Sequence, residues 1–193
     1  MTRRSLAPLA ALVLLWCALA APPLRHALEA TLPGHVLVQI PALVLLGVAA
    51  AGLDHRTVRP LAGLAGRYAG AALLLFLFVA TFWMLPLSID RALRAPVFAA
   101  AKFVGLPVAG FALSAAWRYL PPLLRGALEA QGYSMGLFMA WFYATVPERL
   151  CTGYLRDEQT VLAQGLLALT VGLAVARGLQ RLLIGAADVD PPP

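Results

Sequence analysis

The sequence predicts an all-α fold, a polytopic membrane bundle of about six transmembrane helices, and three observations carry that prediction. Of 193 residues, 61% are hydrophobic and only 12% are charged, about half the ~25% charge of an ordinary soluble domain. Mean hydropathy is +0.80. The apolar residues are gathered into runs long enough to cross a bilayer, with arginines set between them. A soluble fold of this length cannot bury so much apolar surface, and disorder has the opposite composition.

Because a span needs about 20 mostly apolar residues, the runs can be taken in order. Residues 5–21 form the first, and residues 35–53 and 69–87 the second and third. The fourth covers 97–117, the fifth about 132–146 and the sixth about 160–176. The fifth is the shortest. The first also has a competing reading as a secretory signal, since Arg3 and Arg4 precede it and Ala18-Leu19-Ala20 follows. Its apolar run exceeds a usual signal core of about 7–15 residues, and Pro22 and Pro23 crowd the cleavage region, so a retained helix is preferred. A single transmembrane domain over residues 1–187 is expected, followed by a disordered tail at 188–193.

Orientation follows from the arginines, which number fourteen beside the single lysine, Lys102. With the N-terminus inside, Arg3, Arg4, Arg56, Arg59, Arg67, Arg118, Arg125, Arg177 and Arg181 are cytoplasmic. Arg25, Arg91, Arg94, Arg149 and Arg156 are outside, a split of nine to five. The positive-inside rule then puts both termini in the cytoplasm. The chain reads as multi-pass in the cell inner (plasma) membrane, with lipids as its immediate partners. Nucleic acid is not expected, because basic residues occur one to three at a time and make no patch. Cys17 and Cys151 are too few for a disulfide framework.

In this topology the chemically distinctive residues gather at the outer face. His35 and Gln39, four apart, share one face of the second helix, and Pro41 loosens the backbone bonds beside them. Lys102 lies about one and a half turns inside the fourth span. It either snorkels to the interface or pairs with Asp90, Asp157 or Glu158. Met84 and Met139, with Met135 nearer the inner end, offer thioethers and Cys151 a thiol; with imidazole, such soft donors select Cu(I), although methionines at i, i+4 fit a core stripe equally well. Gly132-Tyr133-Ser134-Met135-Gly136 matches G-x-S-x-G but lacks the strand-turn-helix context of a nucleophile elbow. No enzymatic chemistry is expected.

Read in order, the chain has His35-x-x-x-Gln39-x-Pro41, then Trp83-Met84-Leu85-Pro86 with Asp90, then Asp157-Glu158-Gln159 with Gly165 beyond. This order resembles the CtaG family of multi-span cytochrome c oxidase assembly factors, which is distinct from the single-span copper chaperone sharing that name. The comparison runs over roughly residues 35–172. The family pattern has a second histidine where this chain has Gln39, and a histidine where it has Met84. What the resemblance implies is a non-enzymatic role in maturing a respiratory oxidase by handling copper or docking partners at the outer face. The partner would be an oxidase subunit or a copper chaperone. His35, Met84 and Cys151 would be the copper ligands, His35 and Met84 meeting at the outer ends of the second and third spans. Gln39, Trp83, Pro86, Asp90, Lys102, Asp157, Glu158 and Gln159 would complete the site. The residues themselves leave open a small proton- or solute-coupled transporter, and a structural subunit of a larger complex.

Overall fold

The computed structural model describes residues 6–53, 55, 58–146 and 154–187, without the side chains of 184–187. Within these residues the fold is all-helical. The helices are α1 (Ala7–Ala20), α2 (Pro22–Glu29), α3 (Gly34–Ala51), α4 (Val58–Arg67), α5 (Ala69–Met84), α6 (Pro86–Arg94), α7 (Pro96–Ala116), α8 (Pro122–Thr145) and α9 (Arg156–Ala187). Proline marks many of the starts. Pro22, Pro86, Pro96 and Pro122 each stand in the first turn, where the missing N–H leaves no bond unmade.

Three helices, α3, α7 extended through Tyr119, and α9, are long and apolar enough to cross a membrane. The number rises to five if two bent pairs each count as one span, α1 with α2 at 61° and α4 with α5 at 96°. The sequence count of six is therefore higher. The difference falls on the fifth expected span, which lies within α8, a helix of 24 residues that also carries Arg125, Glu129 and Gln131. The cytoplasmic placement of the termini rests on the arginine count alone.

Helix α7 is the centre. Its buried residues, Ala99, Lys102, Phe103, Leu106, Ala109, Gly110, Ala112 and Ala116, recur at helical spacing. It packs most extensively on α3 and α5, with α4 and α6 at its ends. The α3–α7 crossing is close because each helix brings glycine to it. A Cβ on Gly47 would collide with the Pro107 carbonyl, and one on Gly110 with the Val44 carbonyl.

Pro107 also determines what α1 does. Lacking an N–H, it leaves the Phe103 carbonyl one turn earlier without its helical donor. The Trp16 indole Nε1 donates to that oxygen at 2.8 Å, so an internal proline in one helix is satisfied by an aromatic residue of another. Helices α8 and α9 pack mainly on each other, and α9 meets the first turns of α3. There Leu32, Val36 and Ile89 form one buried cluster with Met139, Ala140, Tyr143, Leu162 and Leu166.

Candidate functional site

The first six residues of α3, Gly34–Gln39, form a π-helical turn rather than an α-helical one, and the Ile40 N–H reaches back to the His35 carbonyl. Pro41 follows directly, and α3 changes hydrogen-bond register beside it. The turn still keeps His35 and Gln39 on one side. Both are fully buried and both touch Lys102 of α7, which is also fully buried. Snorkelling is thereby excluded for Lys102.

The lysine is saturated. Its Nζ lies 2.6 Å from Glu29 Oε1, 2.6 Å from Gln39 Oε1 and 2.8 Å from His35 Nε2, three acceptors for three N–H donors. The carboxylate is Glu29, at the end of α2, and not one of the three acids the sequence suggested. Glu29 is itself shared, since the Arg25 Nε donates to both its oxygens at 3.1 and 3.0 Å. A single carboxylate thus compensates two cations. The Phe103 ring adds to the compensation, with the Arg25 guanidinium carbon 5.8 Å and Lys102 Nζ 5.2 Å from its centroid.

The hydrogen-bond directions fix the tautomer of His35. The Tyr154 hydroxyl has one hydrogen and donates it to the Glu29 carbonyl at 3.0 Å. Towards His35 Nδ1, at 2.8 Å, it can therefore only accept, so Nδ1 carries the proton. Nε2 is then the acceptor that Lys102 requires, and the two ends of the chain agree. Lys102, His35, Tyr154 and the Glu29 backbone form one directed sequence of donors and acceptors from α7 through α3 to the segment before α9.

The other expected site residues divide. Trp83 is buried in a cluster that includes Ala92, Phe103 and Leu106, next to the cation-bearing ring. Pro86 opens α6, and Asp90 is buried on that helix. Glu158 Oε2 accepts from the Leu32 N–H at 3.2 Å, and with Asp157 it places acid in the first turn of α9. Asp157 is exposed. Gln159 is buried; its amide nitrogen, like that of Gln39, has no acceptor within reach among the described residues. Gly132 and Gly136 lie inside the continuous helix α8, so no nucleophile elbow forms at Ser134. Cys151 and the 188–193 tail lie outside the described residues.

As placed, the described residues do not assemble a copper site. Both ring nitrogens of His35 are engaged and the residue has no exposure. Met84 is half-buried and lines a groove between the α5–α7 pair and the α8–α9 pair, together with Met135 and Met139, and His35 takes no part in that lining. Among the described residues no group of three or more His, Cys, Asp or Glu is positioned to hold a metal ion.

Sequence reasoning missed Arg25, Glu29 and Tyr154. The first two carried a signal, since Arg25 and Glu29 are an oppositely charged i, i+4 pair between apolar runs. Tyr154 carried none, because a lone aromatic between helices has no periodicity to place it. No protein-family model, no curated protein and no solved structure matches the chain.

Proposed function

We propose that the chain is a multi-pass inner-membrane accessory factor in the assembly of a respiratory cytochrome c oxidase, and that it acts by docking a partner at the end of the bundle that holds Lys102. The observation supporting this is convergence. The segments whose order resembles the CtaG family are up to about 120 residues apart, yet His35 and Gln39 contact Lys102, Trp83 lies in the Phe103 cluster, and Glu158 binds the backbone just before His35. The Lys102 network itself is buried, and the charges exposed around it, Arg91, Arg94 and Arg156 against Asp157, suit an acidic partner segment. With six crossings and both termini cytoplasmic, this end faces outwards.

The test is deletion of the gene followed by visible spectroscopy of the membranes. The a-type haem signal of assembled oxidase should fall and return with the wild-type gene, while other respiratory complexes are unchanged. Oxidase at the wild-type level would sink the proposal. Cu(I) competition on wild type, His35→Ala and Met84→Leu separates a copper-handling role from docking: equal affinities in all three remove these ligands.

A second reading, proton-coupled transport, is favoured by the unbroken chain from Lys102 through His35 to Tyr154, since buried ionisable chains of this kind carry protons in membrane proteins. Proteoliposomes loaded with a pH-sensitive dye distinguish the two readings, because docking requires no proton flux.

A further inference from the structure

At the end of the bundle remote from Lys102, helix α4 turns by 96° away from α5. It bears Leu61, Leu64 and Ala65 on the side that closes a groove and Arg59 and Arg67 elsewhere. This is the form of a helix lying along a membrane surface, apolar side inwards. The groove it closes runs between α1 and α5 over a floor of α3 and α7, has a volume of about 760 Å³ and is lined almost wholly by apolar atoms. That is within the ~300–1,000 Å³ range of ligand-sized sites.

The rim is cationic and held by aromatic rings. The Arg67 guanidinium carbon is 5.9 Å from the centroid of Tyr68, a groove residue. On the other side of Gly66, the Tyr119 ring lies so close that a Cβ there would collide with it, and the Arg118 guanidinium carbon is 5.2 Å from that ring. Both arginines are exposed and neither has a carboxylate partner among the described residues. Two exposed guanidiniums, one beside the groove residue Tyr68 and one beside the Tyr119 ring packed on α4, complement a phosphate attached to acyl chains that lie in the groove.

We propose that this groove is a binding site for an anionic phospholipid, its chains lying against α1, α3, α5 and α7 and its phosphate between Arg67 and Arg118. Neutral lipids have the chains but lack the net charge, and soluble phosphate esters have the charge but lack the chains. The site therefore selects the molecule that has both.

The experiment is native mass spectrometry of the purified full chain in neutral detergent, with phosphatidylglycerol, phosphatidylcholine of the same chains, or glycerol phosphate added at equal concentration. Wild type should retain phosphatidylglycerol about tenfold or more over phosphatidylcholine and should not retain glycerol phosphate. Arg67→Gln with Arg118→Gln, both at exposed positions, should bring phosphatidylglycerol down to the phosphatidylcholine level. Ala71→Trp, an exposed groove position, should displace both lipids. Unchanged unfolding temperatures confirm that each variant is folded. Equal retention of the two lipids by wild type would overturn the proposal. So would an undiminished preference in the arginine variant, or a dimer that buries the groove and excludes lipid.

Discussion

At the scale of single residues, the most consequential feature is one carboxylate serving two cations. Replacing Glu29 by Gln leaves Lys102 buried and Arg25 beside it with no negative charge, and removing one member of a buried pair costs about 3–5 kcal/mol. Replacing Lys102 by Met is milder, because Glu29 keeps Arg25; the His35 and Gln39 acceptors lose their donor at about 1–3 kcal/mol. Denaturant unfolding in detergent of Glu29→Gln, Lys102→Met and the double variant should show a double loss well below the sum of the singles. Additive losses would mean that the two side chains are not coupled. The lysine was legible in the sequence as a charge inside a span that had to be resolved somehow, and the shared face of His35 and Gln39 was legible from their spacing. The identity of the acid was not, because Asp90, Asp157, Glu158 and Glu29 all flank spans at the same end, and only the packing of α2 against α7 selects among them.

At the scale of the helix, backbone bonds that a proline removes are replaced from outside. Trp16→Phe keeps most of the apolar contact with the second core cluster but leaves the Phe103 carbonyl without a donor, at about 1–3 kcal/mol. Pro107→Ala returns the N–H that this carbonyl lacks, so Trp16→Phe made in a Pro107→Ala background should cost measurably less. Equal costs in the two backgrounds would show that the indole bond does not substitute for the helical one. The segments themselves were largely legible, since four of the six expected runs coincide with helices α1, α3, α5 and α7 to within a few residues, the run at 160–176 falls inside the longer α9, and the run at 132–146 matches the second half of α8. The short amphipathic helices α2, α4 and α6 were not expected. Each has too few residues to cross a bilayer and lies in a stretch whose charges read as loop. A second bond between distant segments can be tested at this scale. Tyr154→Phe strands the protonated Nδ1 of His35 and loosens the join between the α3 turn and the segment leading into α9. Hydrogen exchange in the first turns of α9 should rise, while exchange at the α3–α7 crossing near Gly47 stays as in wild type; a uniform rise would mean global destabilisation instead.

At the scale of the whole molecule, the Lys102 network lies at one end and the rim of Arg67 and Arg118 at the other, and this asymmetry fixes what an orientation measurement must find. The end with Lys102 holds Arg25, Glu29, Asp90 and the acidic first turn of α9, whereas the opposite end holds Arg59, Arg67 and Arg118, and Glu129 bridged to Arg177 and Arg181. Which loops share an end follows from the order of the spans, a constraint that needs no knowledge of packing, and the arginine count bears only on which of the two ends faces the cytoplasm. Which helices touch across the bundle carries no such signal, and so the central place of α7 and the pairing of α8 with α9 appeared only in the fold. With Cys17 and Cys151 replaced by Ser, single cysteines at Arg94 on α6 and Arg59 on α4 report the two ends. An impermeant maleimide applied to intact cells should label Arg94→Cys and spare Arg59→Cys until the membrane is opened. The reverse pattern would turn the Lys102 end towards the cytoplasm. An outward docking site for an oxidase subunit would then be ruled out, while the phosphate-binding rim, which depends on the groove and its two arginines, would stand in the other leaflet.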